Sequence, residues 1–170
     1  MPNKVLRLAG VIRDSIVDGP GWRFVIFAQG CPHRCPGCHN PETHDAAGGY
    51  DAAPEMLLAE IRKNPLLHGI TLSGGEPFAQ AQAFADLART VRALGLDVFV
   101  YSGYTFEELL AGADAQNGWL ALLRESDTLV DGQYLAAERS LNLLFRGSKN
   151  QRLIDVKASL AAGRAVEMAI

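Results

Sequence analysis

Apolar residues along the chain fall into two alternating rhythms, short unbroken runs and recurrences at three- and four-residue spacing. Leu6 to Ile12 reads as a strand, and Arg23 to Ala28, rich in β-branched and aromatic side chains, as a buried one. Asp18-Gly19-Pro20-Gly21 is a turn signal between them. A helix is expected from Pro54 to Asn64, with Pro54 suited to its first position and Leu57 and Ile61 one turn apart on a buried face. Gly69 to Ser73 then reads as a strand. The clearest amphipathic helix is Phe78 to Leu94, where Phe84, Leu87, Ala88, Val91 and Leu94 share one face and Gly95 supplies the stop. A strand at Asp97 to Tyr101 follows. Thr105 with Glu108 forms a capping-box pattern that opens a helix over Phe106 to Ala111, before a short helical piece at Trp119 to Arg124 and a strand at Thr128 to Asp131.

Such alternation predicts an α/β fold with a mainly parallel sheet and right-handed crossovers, in which ligands sit beyond the carboxyl ends of the strands. Four segments leave those ends: Cys31 to Asn40, Gly74 to Pro77, Ser102 to Tyr104 and Gly132 to Tyr134. A length of 170 residues suits one domain spanning 1–170.

Composition narrows the function classes. With 48% hydrophobic and 21% charged residues the chain can build a core. Its 16 basic and 19 acidic residues leave a net charge of −3, which argues against a cationic surface tracking a phosphate backbone. No unbroken apolar run exceeds five residues, far short of the ~20 that cross a bilayer, and the opening residues lack a signal-like apolar stretch. The expectation is a cytoplasmic protein with neither nucleic acid nor membrane as partner.

All three cysteines, Cys31, Cys35 and Cys38, fall within eight residues in C-x₃-C-x₂-C spacing, with Pro and Gly bending the backbone between them. An odd, clustered set is a poor disulfide framework and a good set of soft metal ligands. Zinc and an iron–sulfur cluster both suit three thiolates. For zinc, His33, His39 or His44 would complete a Cys₃His tetrahedron in a binding module that is not an enzyme. In a four-iron cubane, three cysteines leave one iron open to substrate chemistry. A second Cys or His pair at the usual spacing of zinc modules is absent from the sequence.

The cysteine loop is followed one βα unit later by Ser73-Gly74-Gly75-Glu76-Pro77, and the pairing resembles the radical S-adenosylmethionine (radical SAM) superfamily. Asp18-Gly19-Pro20-Gly21-Trp22-Arg23, Cys35-Pro36-Gly37-Cys38-His39-Asn40-Pro41-Glu42-Thr43, Tyr101-Ser102-Gly103-Tyr104, Val130-Asp131-Gly132 and Arg146-Gly147-Ser148-Lys149-Asn150-Gln151-Arg152 are similar, within it, to the small activases of anaerobic ribonucleoside-triphosphate reductase. The resemblance runs from about residue 10 to about 155. The chain departs from the pattern at His39, where an aromatic residue is common.

The resemblance implies an open partial (β/α) barrel of radical SAM type, since ~200 residues or more are needed to close eight units. It implies Cys31, Cys35 and Cys38 as ligands of a 4Fe-4S cluster, and Gly37, Cys38, His39, Gly74, Gly75, Glu76 and Ser102 as contacts of S-adenosyl-L-methionine (SAM). The implied activity is reductive cleavage of SAM to a 5′-deoxyadenosyl radical, with an electron from an external donor such as reduced flavodoxin. The radical then generates a glycyl radical on anaerobic ribonucleoside-triphosphate reductase. No side chain beyond the cluster and SAM site is implied as catalytic. Activation of another glycyl-radical enzyme, or a small-molecule reaction such as that of 7-carboxy-7-deazaguanine synthase, is the alternative within the superfamily. From the residues themselves, the Gly74-Gly75 pair suits close backbone approach to a ligand. Ser73 to Pro77 also suits an ordinary strand-to-helix turn. Tyr101 and Tyr104 read equally as pocket or core residues, Asp131 as ribose acceptor or turn cap, His33 and His39 as surface loop residues, and Arg146, Lys149 and Arg152 as an anion site or a solvated loop.

Overall fold

The computed structural model describes residues 5–33, 35–38 and 40–168. Strands β1 (Leu6–Ser15), β2 (Arg23–Ala28), β3 (Tyr50–Ala52), β4 (Gly69–Gly74), β5 (Asp97–Tyr101), β6 (Thr128–Asp131) and β7 (Arg152–Asp155) form one sheet in the order β3-β1-β2-β4-β5-β6-β7. Between them run α1 (Pro54–Arg62), α2 (Ala81–Ala93), α3 (Phe106–Gly112) and α4 (Trp119–Arg124), and α5 (Val156–Ala162) follows β7.

The sheet is mixed, which corrects the expectation of mainly parallel strands. β2, β4, β5 and β6 are mutually parallel, because each connection between them carries at least one helix and can cross over. β1 and β3 join antiparallel: the link from β1 to β2 is the Asp18-Gly19-Pro20-Gly21 turn, too short for a crossover. β7 returns antiparallel to β6.

Alternation along the strands divides the sheet into two faces. Ile26, Ile70, Leu72, Val98, Val100, Leu129 and Ile154 point into the main core, which takes residues from all five helices, including Leu57, Phe84, Val91, Phe106, Leu122 and Val156. The other face carries a small cluster of Phe99, Val130 and Leu153, with Tyr101 and Phe145 against it. On that second face the fully buried Arg23 donates to Thr71 Oγ1 (2.8 Å) and to the carbonyls of Pro20 (2.9 Å) and Ile70 (2.6 Å), pairs with Asp97, and lies 5.6 Å from the Phe99 ring. The charge is thus buried with its donors satisfied.

Local signals place most boundaries. Thr105 and Glu108 form both bonds of a capping box at α3. The helix expected over Phe78 to Leu94 instead begins as a 3₁₀ turn, Pro77–Gln80, and becomes α-helical at Ala81, because the Glu76 carboxylate accepts the Phe78 N–H at 3.0 Å and fixes a tighter start. Among the described residues no helix is long and apolar enough to cross a membrane.

Candidate functional site

All four segments leaving the strand ends contribute to one cleft of about 790 Å³. Its lining includes Cys31, Cys35, Cys38 and Asn40 from the first, Gly74 and Gly75 from the second, Ser102 and Gly103 from the third, and Gly132 and Tyr134 from the fourth. Phe27, Ser73 and Tyr101 floor it from the strands. The cleft therefore opens on the sheet face opposite the helices, at the carboxyl edge of the parallel strands.

The cysteine loop leaves β2 and returns to its own root. Gly30 N–H donates to the Thr43 carbonyl at 2.6 Å and Cys31 N–H to the His44 carbonyl at 3.2 Å. The buried Gln29 amide donates to the Glu42 and Asp45 carbonyls at 2.9 and 2.7 Å, so the neck is fastened by side chain as well as backbone. Within the loop, Cys38 N–H bonds the Cys35 carbonyl (3.1 Å) and Asn40 N–H approaches Cys38 Sγ (3.4 Å). All three cysteines are half-buried. Burial pushes the Cys35 thiol up, a backbone hydrogen bond from Tyr134 pulls against it, and the neighbouring Cys38 adds to the rise. Such a sulfur is disfavoured as a bare anion, and a bound cation reverses that preference.

Glu76 is the hub behind the cleft. Its fully buried carboxylate accepts the Ser102 hydroxyl (2.9 and 3.0 Å), the Gly103 N–H (2.9 Å) and the Phe78 N–H (3.0 Å), and its Oε1 lies 2.7 Å from His33 Nε2. One side chain thus ties together the cysteine loop, the end of β4 and the end of β5. The His33 ring also meets Tyr104 edge-on at 4.4 Å, and its Nδ1 lies 3.3 Å from the Gln133 amide. With its side chain only 7% exposed and both nitrogens engaged, His33 is neither a surface loop residue nor placed as a zinc ligand. Ser102 Oγ also accepts the Tyr104 N–H at 3.0 Å, so its hydroxyl is engaged within the chain.

Gly74 and Gly75 line the cleft, yet the close approach they allow is to the chain's own backbone. A Cβ on Gly74 (φ 90°) would stand 2.6 Å from the Ala28 nitrogen, and one on Gly75 would strike the Gly30 carbonyl oxygen. Gly75 and Glu76 N–H groups donate to the Ala28 and Gly30 carbonyls, both at 2.8 Å. The glycines let the roots of the cysteine loop and of this turn lie against each other. Gly37 is at the Cys35–Cys38 turn beside Tyr134 and Ala136, outside the cleft lining. The expected contact at His39 lies outside the described residues.

The opposite wall comes from residues 132–148. Gln151 clips it: its Oε1 accepts the Gly147 and Ser148 N–H groups (2.9 and 3.2 Å) and its amide donates to the Gly132 carbonyl (3.0 Å). Asn150 Nδ2 donates to the Gln133 carbonyl at 2.7 Å. Phe145 sits at a left-handed φ of 59°, its carbonyl taking the Tyr101 hydroxyl at 2.8 Å and its ring packing on Phe99. The basic trio divides. Arg152 pairs with Asp131 and Glu107, and the Asp131 carboxylate, which also caps α3 through the Phe106 N–H (2.8 Å), holds its guanidinium well above the ordinary range. Asp131 is therefore a cap and ion-pair partner. Lys149 N–H bonds the Glu138 carbonyl, and Arg146 alone of the three lines the cleft.

Three thiols on the walls of one cleft form a donor set suited to a metal–sulfur group. Among the described residues no group of three or more His, Cys, Asp or Glu side chains is drawn into a closed metal cage. Sequence reasoning missed Gln29, Tyr134 and Phe145, and read His33 as a surface loop residue or a zinc ligand instead of a partner of Glu76. His33 had a signal in its place between two of the cysteines; the others act through long-range contacts that the sequence does not display.

Comparison with known proteins defines the family. Residues 17–154 match the family model described as a 4Fe-4S single cluster domain. The anaerobic ribonucleoside-triphosphate reductase-activating protein of Vibrio cholerae is 35% identical over 81% of this chain and 90% of its own length, and that of Escherichia coli K12 is 34% identical over the same shares. The pyruvate formate-lyase-activating enzyme of Clostridium pasteurianum is 36% identical, over 64% of this chain and 49% of its own length. Among solved structures, QueE from Escherichia coli is similar at a TM-score of 0.47 and 18% identity, covering 59% of this chain and 54% of that one, a likeness too loose to bear on function. The chain belongs to the 4Fe-4S single cluster domain family, among the anaerobic ribonucleoside-triphosphate reductase-activating proteins.

Proposed function

We propose that the protein is a radical SAM activase that generates a glycyl radical on anaerobic ribonucleoside-triphosphate reductase, working in the cytoplasm as one domain over 1–170 with its open sheet as a partial barrel. The observation that carries this reading is the convergence of Cys31, Cys35, Cys38, Gly74 and Gly75 on one open cleft. Family membership supports the same reading. The reductase is favoured over pyruvate formate-lyase as target because the chain spans 90% of the reductase activases and about half of the other relative.

In this reading Cys31, Cys35 and Cys38 hold the 4Fe-4S cluster. Cys38 would stand on the adenine side of SAM, and Gly74, Gly75 and Ser102 wall the remainder. Glu76 acts from behind, through His33, Ser102 and Gly103, tying the cysteine loop to the ends of β4 and β5. Arg146 presents a cation to the carboxylate of SAM or to an acidic surface of the partner. When bound, the cluster and SAM supply one-electron cleavage of a sulfonium and abstraction of a hydrogen atom from glycine. The chain's task is positioning and exclusion of stray hydrogen donors, with the open side covered by the macromolecular substrate.

The test is anaerobic reconstitution followed by electron paramagnetic resonance with SAM and the reductase. The expected result is a reduced-cluster signal altered by SAM, then a glycyl-radical doublet on the reductase. One zinc per chain with no iron or sulfide would overturn the reading.

A further inference from the structure

His44 ends the 3₁₀ turn Pro41–Thr43 and is pinned at the neck of the cysteine loop, its N–H bonding the Pro41 carbonyl at 3.2 Å and its carbonyl taking the Cys31 N–H at 3.2 Å. His44 is a lining residue of the cleft together with the three cysteines. Its Nε2 is buried and, among the described residues, is the one buried side-chain nitrogen or oxygen with no hydrogen-bond partner. The contrast with its surroundings is sharp: Gln29, Thr43, Glu76 and Ser102, buried polar side chains around the cysteine loop, all have partners. A buried polar atom left unmatched in a network otherwise satisfied points to a partner that the chain itself does not supply.

We propose that His44 Nε2–H donates a hydrogen bond to a sulfur of the iron–sulfur cluster on its Cys31 side, and so raises the cluster's reduction potential. The inference rests on the function proposed above. The backbone bond keeps His44 beside that ligand while its Nε2 stays unmatched. A donor to a cluster sulfur stabilises the more negative, reduced state, because the added electron density falls largely on sulfur. His44 is a tuning residue and forms no bond to iron.

The experiment uses the full chain, reconstituted anaerobically as wild type, His44→Phe and His44→Gln, with iron and sulfide analysis before a potentiometric titration followed by electron paramagnetic resonance. At the potential that half-reduces the wild-type cluster, His44→Phe is expected to show a reduced-to-oxidised ratio about tenfold lower, equivalent to about 59 mV for one electron. His44→Gln, which keeps a donor, should recover most of that ratio. The His44→Phe apoprotein should melt no lower than wild type, since a phenyl ring needs no partner. A full cluster with the wild-type ratio in His44→Phe overturns the proposal while leaving the activase reading intact. Zinc bound by wild type and lost in His44→Phe overturns both, with His44 then a ligand.

Discussion

On the β2 and β4 side, the cleft is walled by a loop fastened at its neck by Gln29 and braced from behind by a carboxylate that meets His33, Ser102, Gly103 and Phe78. On the β6 side it is walled by residues 132–148, where Leu141 is 86% exposed, Leu144 is 47% exposed and Phe145 sits in the left-handed region. The first wall is held by buried polar bonds, each expensive to leave unmade, so it has one arrangement. The second is held by Gln151, Tyr101 and a bridge between Arg139 and Ser148, and shows the apolar side chains of Leu141 and Leu144 to solvent. A site that must hold a cluster rigidly and receive a protein has reason to be unequal in this way, fixed where metal is held and adaptable where a partner arrives.

Substitutions on the two walls should separate these roles. The largest effect is expected at the metal: Cys35→Ala should lose essentially all cluster iron, with urea unfolding of the apoprotein within about 1 kcal/mol of wild type. Iron retained at wild-type stoichiometry would remove Cys35 from the ligand set. Glu76→Ala strips four donor groups of a buried acceptor and should cost about 3 kcal/mol in urea unfolding. An unchanged midpoint would show that the first wall does not depend on its brace. Leu141→Asp should leave unfolding unchanged and lower glycyl-radical formation at sub-saturating reductase about tenfold, the effect of about 1.4 kcal/mol of lost contact. Equal rates would place the partner elsewhere. Tyr101→Phe removes one hydrogen bond and should cost about 1 kcal/mol, with faster protease cleavage within 139–147.

Tyr101 also fixes a pH dependence. Burial raises its phenol above the ordinary value of 10.0. The unfolded chain therefore ionises first, so this contribution is complete below that value and falls away as pH climbs past it. Tyr101→Phe should flatten the alkaline decline of stability, and identical alkaline slopes would contradict the assignment.

Much of this architecture was legible because its signals are local. The 3.6-residue rhythm of α2, the capping box at Thr105 and Glu108, and the cysteine spacing each depend on neighbours in sequence. β3 and β7 escaped notice for the opposite reason. Three residues at β3 carry no periodicity, and Arg152-Leu153-Ile154-Asp155 has charges at both ends of a short apolar pair; both are strands because an edge stood ready to pair with them. Likewise Arg152 and Asp131 looked like ligand groups until the fold set them against each other, and Gly74-Gly75 looked like a ligand platform when the tightest fit is to Ala28 and Gly30. Residue type and local spacing located the cleft; the division of labour inside it depends on contacts made across the sheet.

The pinched root of the cysteine loop, where Gly30 meets Thr43 and Cys31 meets His44, has a consequence for how such chains diversify. A segment that exits and re-enters at nearly one point is a cassette. Apart from His33, which Glu76 anchors, its interior can be recoded, lengthened or shortened over generations while strand register stays untouched, so innovation at the metal costs the scaffold little.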